Sequence, residues 1–127
     1  MKRFVLAASI LSSLAGCAAS PTPDEATIAT VDSPVARVQT AAVDVLAAAG
    51  FDLDRIEPNY VEGYHPRDAG ALVASGGETV GIWIEPVTQE KSRMRVDTAR
   101  SLVGIVGQKS WNDEVIDAIR DRLKQQP

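Results

Sequence analysis

The sequence predicts an α+β fold: a three- to four-stranded antiparallel sheet with an N-terminal and a C-terminal helix packed on one face. Two segments, near the two ends of the predicted domain, repeat apolar residues every three or four positions, as amphipathic helices do. Several segments between them alternate apolar and polar residues, as half-buried strands do. Two helices with one apolar stripe each can cover one face of such a sheet, so we expect the other face to be at least partly exposed.

The length and composition indicate one small globular domain. The chain has 127 residues, of which 45% are hydrophobic and 24% are charged. This balance is typical of a folded chain rather than a disordered one. Its formal net charge of −4 argues against a nucleic-acid partner, since such domains carry a basic surface. One Cys and one His exclude an internal disulfide and a structural zinc site, and we expect no metal and no cofactor.

The N-terminus has the features of a secretory signal peptide. A short cationic segment precedes the apolar residues 4–14, which are interrupted only by serines. This run fits the apolar region of a signal peptide and is too short to span a bilayer, which needs about 20 residues. It ends in Leu14-Ala15-Gly16-Cys17, where small residues suit cleavage and the thiol can carry a lipid.

Leu14-Ala15-Gly16-Cys17 resembles the lipobox of bacterial lipoproteins. The resemblance implies removal of residues 1–16, a diacylglyceryl group on the Cys17 thiol and acylation of the new amino terminus. Several acyl chains, at about 0.8 kcal/mol for each buried CH₂, anchor a protein durably in a membrane. Because Ala18 is not the Asp associated with inner-membrane retention, the resemblance favours the periplasmic leaflet of the outer membrane. The alternative is an ordinary signal peptide that happens to contain a cysteine.

Processing at this site changes the charge of the protein. Removal of Lys2 and Arg3 lowers the 13 basic residues to 11 against 17 acidic ones, which leaves a net charge near −6. A polybasic contact with anionic headgroups is therefore not expected as a second anchor. The lipid must provide the membrane attachment.

Residues 17–32 are predicted to be the lipidated Cys followed by a flexible tether, and residues 33–127 the compact domain. Pro21 and Pro23 favour extended backbone, and no amphipathic period is visible around them. The end of this tether could still contribute a short extended edge segment.

The first helix is predicted over residues 34–49. Ser33 is a suitable N-cap, and Pro34 suits the first helical position because its missing N–H costs nothing there. Gly50 tolerates the left-handed conformation that ends many helices, and Phe51 is placed to make the accompanying apolar contact. The closing helix begins near the capping-box-like segment 110–113 and carries its acidic residues early and its basic residues late, which complements the helix dipole.

Alternation and turn residues predict the strands. Pro66 and Pro86 are expected to end two of them. Residues 67–77 are interpreted as a loop, in which residues 71–74 could pack or add a short strand. The predicted strands cover residues 51–54, 60–65, 78–85 and 93–98.

The whole pattern resembles a family of small uncharacterised bacterial lipoproteins with an α-β-β-β-α module. The resemblance rests on the lipobox, on the helix ending in Gly50-Phe51 and on the Val-Gly-Ile-Val-Gly segment at residues 103–107. More distantly, the layout is similar to the helix-grip domains of BamC, a lipoprotein subunit of the β-barrel assembly machinery. The similarity covers about residues 33–124 and implies a fold and a compartment but no established activity. The segment 67–77 is inserted relative to that pattern.

Trp83 is the best candidate for a binding surface. It lies on the polar side of the clearest strand, opposite the aliphatic side chains that the helices are expected to cover. Trp, Tyr and Arg concentrate at binding hot spots because they combine a large contact area with a polar group. The alternative is an aromatic or cation–π contact that only stabilises the sheet. The residues expected to share this surface are Trp83, Arg95, Tyr60 and Tyr64.

Three other motifs are better interpreted as structural. Residues 104–110 imitate a phosphate-binding loop, but Gln108 separates the second glycine from the lysine, which breaks the required spacing. His65 has no nucleophile beside it in sequence and is interpreted as a polar residue at a strand end. Asp52 and Asp54 share a strand face and are expected to be solvated rather than to act as an acid–base pair.

These observations predict a non-enzymatic envelope lipoprotein that binds another envelope component through the open sheet face around Trp83. One alternative is a carrier of a small apolar ligand in a cavity between helix and sheet. Another is a hydrolase that uses His65 and an acid.

Overall fold

The computed structural model describes residues 20–66, 77–100 and 110–125. The lipobox with Cys17, most of the loop predicted at residues 67–77, and all but the last residue of the phosphate-loop-like motif lie outside these residues. The predictions made for them stay predictions.

The described residues form two α-helices and one five-stranded antiparallel sheet, which confirms the α+β class. The strand order across the sheet is β1-β5-β4-β3-β2, and one 3₁₀ turn at Pro23–Glu25 precedes the first strand. No helix in the described ranges is long and apolar enough to cross a membrane. The elements in chain order are β1 (Thr27–Val31), α1 (Val35–Ala48), β2 (Asp52–Glu57), β3 (Tyr60–His65), β4 (Glu78–Thr88), β5 (Lys91–Arg100) and α2 (Asn112–Gln125).

β1 makes the prediction of three to four strands wrong, because the fifth strand lies in the segment predicted as a tether. It pairs with β5 from Thr27 opposite Val96 to Val31 opposite Ser92. Ala29 and Val31 are buried in the core, each only 7% exposed. β1 thus joins the sheet although it precedes residue 33, where the compact domain was predicted to begin. A strand of five residues offers little alternation to recognise, and its pairing partner is distant in sequence.

α1 ends as its sequence predicts. Gly50 has a φ of 88°, and its N–H bonds to the Ala47 carbonyl. The Phe51 N–H reaches the Leu46 carbonyl at 3.0 Å, and both of these residues are buried in the core cluster. This pair of hydrogen bonds is the Schellman motif, in which a left-handed glycine satisfies the last carbonyls of the helix.

The start of α1 differs from the prediction. Pro34, not Ser33, is the N-cap, and no side chain caps this end of α1. Ser33 is buried, and its carbonyl oxygen accepts a 2.6 Å hydrogen bond from the Ser92 hydroxyl on β5. The tertiary contact with β5 thus holds the chain at the helix entry in place of a side-chain cap.

Three strands run further than predicted, and β5 extends at both ends, from Lys91 to Arg100. β4 continues past Pro86 to Thr88, with an irregularity in its pairing to β5 between these two residues. Proline is tolerated here because β3 pairs with β4 only up to Trp83, so Pro86 lies at a free edge on that side. β2 likewise extends to Glu57.

One apolar cluster joins the helices to the sheet. α1 and α2 contact each other, α1 contacts β2 to β5, and α2 contacts β1 and β5. The apolar stripes predicted for both helices supply their buried side chains. The fully buried aliphatic side chains of the cluster are Val38, Leu46, Val61, Val80, Ile82, Ile84, Met94, Val96, Val115 and Ile119.

α2 is joined to the sheet by hydrogen bonds at its first residue. Asn112 bonds through its side chain to the hydroxyls of Thr98 on β5 (2.7 Å) and Thr27 on β1 (3.1 Å). The Trp111 N–H also donates to the Thr98 hydroxyl. These contacts orient the start of α2 over the β1–β5 edge.

We expect Gly50→Ala to lower the free energy of unfolding by about 1–2 kcal/mol, because a Cβ is disfavoured at positive φ. Steric crowding does not contribute, since a Cβ there would lie 3.8 Å from the nearest side-chain atom, His65 Nε2. Gly50→Asn should cost less, because Asn adopts this conformation more readily. Urea denaturation followed by tryptophan fluorescence measures both values, and equal losses for Ala and Asn would contradict this account.

Candidate functional site

Four side chains form a row across the sheet on the face opposite the fully buried aliphatic residues. Ile28 on β1 lies opposite Arg95 on β5, Arg95 opposite Trp83 on β4, and Trp83 opposite Tyr60 on β3. Residues directly opposite one another in adjacent strands point to the same face. We call these four residues the Trp83 row. The structure thus brings together three of the four residues predicted for the binding surface.

The Trp83 ring packs against the Tyr60 ring. Their centroids are 5.0 Å apart and the planes are inclined by 41°. The Arg55 guanidinium lies over the Tyr60 ring, 4.9 Å from its centre. Trp83 is half-buried, whereas Tyr60 is only 8% exposed. The aromatic and cation–π contacts predicted as a structural alternative are therefore present: the Tyr60 ring packs against Trp83, and Arg55 packs on Tyr60.

Hydrogen bonds fix the polar groups around the row. The Tyr60 hydroxyl donates to Glu62 Oε1 at 2.6 Å, and burial together with this bond raises the pKa of Tyr60 above its usual range. Arg95 Nε donates to Glu85 Oε1 at 2.6 Å, and this bond lowers the pKa of the Glu85 carboxyl. Arg95 and Glu85 are 29% and 45% exposed, so the pair lies at the rim of the surface.

Tyr64 lies on the same face but away from the row. It pairs with Thr79, four positions along β4 from Trp83, which corresponds to about 13 Å. Its hydroxyl accepts a 2.8 Å hydrogen bond from the Gly77 N–H. Tyr64 therefore belongs to the connection at the start of β4 rather than to the surface around Trp83.

The face that carries Trp83 is less open than predicted. Residues 20–26, which we call the N-terminal strap, lie across it. Pro21 is buried over Gly81, where an added Cβ would come within 2.8 Å of the proline ring. The Thr22 N–H donates to Asp97 Oδ2 at 2.8 Å, and Asp97 is only 8% exposed. The strap was not predicted from the sequence. A glycine within a strand leaves room for another segment to approach closely, so Gly81 and the prolines of residues 20–26 are weak indications of it.

A cleft of about 280 Å³ remains open beside the strap. Pro23 of the strap forms one wall and Trp83 another, so part of the predicted tether helps to build the candidate site. Ile28, at the end of the row on β1, is 54% exposed. The lining residues are Pro23, Asn59, Trp83, Ile84, Glu85, Pro86 and Arg95.

His65 is the last residue of β3, as its interpretation as a strand-end residue predicts. Its ring lies 5.1 Å from the Phe51 ring and 5.0 Å from the Trp111 ring, between centroids. Phe51 and Trp111 also contact each other. The imidazole therefore forms part of an aromatic cluster between β3, the end of α1 and the start of α2.

The carboxylates of Asp52 and Asp54 are exposed on β2, an edge strand, as predicted. Within the described ranges, no group of three or more His, Cys, Asp or Glu side chains could hold a metal ion.

A second groove of about 380 Å³ lies between α1 and α2. Its lining mixes apolar residues such as Val45 and Ala118 with Asp44, Asp121 and Arg122. Arg122 and Asp44 form an ion pair at 3.1 Å that joins the two helices. This groove lies between the helices, whereas the helix–sheet interface contains fully buried side chains such as Leu46 and Ile82.

No family model matches this chain, and a search of the curated proteins finds no match either. The functional argument therefore depends on the arrangement of the residues themselves.

We expect Asp97→Ala to release the strap, because it removes the acceptor of the Thr22 N–H. A hydrogen bond to a charged group contributes about 1.5–3 kcal/mol, so amide exchange at Thr22 should accelerate by about tenfold or more. Hydrogen–deuterium exchange of the peptide covering residues 20–26 measures this change. Asp97→Asn keeps an oxygen acceptor but loses the charge, so it should accelerate the exchange less than Asp97→Ala does. Asp52→Ala removes an exposed carboxylate elsewhere and should leave the exchange rate nearly unchanged. Unchanged exchange in Asp97→Ala would show that the strap is not held by this bond.

Tyr60 should ionise at higher pH than an ordinary tyrosine, and Tyr60→Phe should remove that step from an ultraviolet absorbance titration. Glu62→Gln should lower the pKa of Tyr60, because it removes the adjacent negative charge. Since the folded state holds this proton more tightly than the unfolded state, stability should fall as the pH rises above about 10. A titration in which Tyr60 ionises at the usual value would contradict the burial of its hydroxyl.

Proposed function

We propose that this protein is a non-enzymatic lipoprotein of the bacterial cell envelope that binds another envelope protein through the cleft beside Trp83. In this proposal, Cys17 carries the lipid and the protein resides on the periplasmic leaflet of the outer membrane. Both helices cover one face of the sheet, and the opposite face, between the strap and the hairpin of β4 and β5, receives the partner.

The position of Trp83 carries the proposal. Its ring is half-buried, is held against Tyr60 and lines a cleft that also contains Pro23 and Arg95. A preorganised aromatic ring in a partly desolvated cleft is typical of binding hot spots, because little side-chain freedom is lost on association. A ring needed only for sheet stability would not require an adjoining cleft.

The surroundings of Trp83 suit a protein partner. Ile28 offers an exposed apolar side chain at one end of the row, and the Arg95–Glu85 pair offers charged groups of both signs at the rim. An apolar centre with a polar rim is the usual arrangement of protein interfaces. The partner should therefore present a small apolar projection flanked by polar groups.

The ligand-carrier alternative receives less support from the packing. A carrier of this kind needs an apolar cavity between helix and sheet of a few hundred Å³. Leu46 of α1 and Ile82 of β4 are fully buried in the helix–sheet cluster and occupy that position.

We expect Trp83→Ala to weaken partner binding by about 30-fold, since truncation of a hot-spot residue costs about 2 kcal/mol or more. The measurement is photo-cross-linking in bacterial cells with a photoreactive residue at position 28, followed by identification of the cross-linked proteins. Ile56→Ala is the control, because Ile56 is an exposed apolar residue like Ile28 (55% and 54%) but does not line the cleft.

The cross-linking pattern should persist in Ile56→Ala and disappear in Trp83→Ala. The same photoreactive residue at position 36, on the exposed side of α1, should capture a different set of proteins or none. If Trp83→Ala and Ile56→Ala yield identical cross-links, the cleft beside Trp83 is not the binding site.

A further inference from the structure

The first residues of the strap have a definite direction along the sheet face. Ser20 lies in a surface pocket with Ala99 and Arg100, at the end of β5. Three residues later, Pro23 lies beside Trp83 and Arg95, closer to the hairpin that joins β4 to β5. Residues 20–23 of the strap therefore run along the face from the Arg100 end of the sheet toward its middle, and Glu25 lies again beside the pocket that contains Ser20.

The strap is held by contacts at successive residues. Pro21 is buried over Gly81, the Thr22 N–H bonds to the buried Asp97 carboxylate, and Pro23 lines the Trp83 cleft. Its 3₁₀ turn then leads directly into β1, which is paired along its whole length with β5. Ser20 is the first described residue and lies three positions after Cys17 in the sequence.

The chain between the lipid-bearing residue and this fixed point is very short. Three peptide units separate the Cα atoms of Cys17 and Ser20. An extended chain spans at most about 3.6 Å per residue, so these two atoms are at most about 11 Å apart. By comparison, β4 has 11 residues and is about 36 Å long. The attachment is therefore short relative to the domain that it holds.

We infer that the Arg100 end of the sheet lies against the surface of the lipid bilayer and that the β4–β5 hairpin points away from it. The inference rests on the proposed acylation of Cys17, since only a lipid at that residue places the bilayer within reach of Ser20. Because the strap is bound to the sheet, a lipid at Cys17 is attached close to a fixed point of the fold rather than through a long flexible tether. Glu90, in the turn of the hairpin, becomes the distal end of the protein.

The experiment measures the distance of two labelled positions from the lipid headgroups. Arg100→Cys and Glu90→Cys variants of the full-length lipidated protein are labelled with a fluorophore, since the thioether on Cys17 leaves the introduced thiol as the reactive one. Both positions are exposed, so neither substitution disturbs the core. The proteins are placed in vesicles of phosphatidylethanolamine and phosphatidylglycerol whose headgroups carry nitroxide quenchers.

We expect the fluorophore at position 100 to be quenched at least twofold more than the fluorophore at position 90. Insertion of ten Gly and Ser residues between Ala19 and Ser20 should remove the difference, because the domain then leaves the bilayer surface. Asp97→Ala, which frees the strap, should reduce the difference as well. Equal quenching at the two positions without the insertion would overturn the inference.

A separate readout tests the lipid anchor. Intact mass shows whether Cys17 is acylated, and flotation shows whether the protein stays with the vesicles. An acylated protein that floats but shows equal quenching refutes the orientation and leaves the proposed anchor standing. A protein that carries no acyl group refutes the anchor and the orientation together, without bearing on the Trp83 cleft.

Discussion

The pairing of β4 with β5 is the interaction on which the rest of this structure depends. The two strands pair from Glu78 opposite Arg100 to Thr88 opposite Lys91. Because side chains alternate along a strand, this register places Ile82 and Val96 in the apolar core and Trp83 and Arg95 on the opposite face. A shift by one residue would exchange the two sets, so one register determines both the core and the candidate site.

The strap links the site to the mode of attachment. Pro23 forms a wall of the Trp83 cleft, while Ser20, three residues earlier, lies at the end of the sheet from which the chain leads to Cys17. A lipid at Cys17 and a partner bound at Trp83 would therefore both be connected to the short segment of residues 20–23. Under the orientation that we infer, the cleft faces sideways near the bilayer, so its partner would itself reside close to the membrane.

Much of the fold could be predicted from local residues. Gly50 ends α1 through its positive φ, and β3 begins and ends where its alternation does. The juxtaposition of Trp83, Arg95 and Tyr60 was also predictable, since strict alternation assigns a residue to a sheet face. Tyr64 shared the face but not the site, because alternation defines the face of a residue and not its distance along the strand.

The sequence by itself determined which segments form helices, which face the residues of β3, β4 and β5 take and, through the lipobox resemblance, where we expect the lipid. The tertiary structure alone decided that Thr27–Val31 is a strand, that β4 continues past Pro86 and that the strap covers Gly81. Local patterns report the conformational preference of neighbouring residues. The strap and β1 instead obtain their stability from Asp97 and β5, which lie more than 60 residues away along the chain and become neighbours only when the sheet forms.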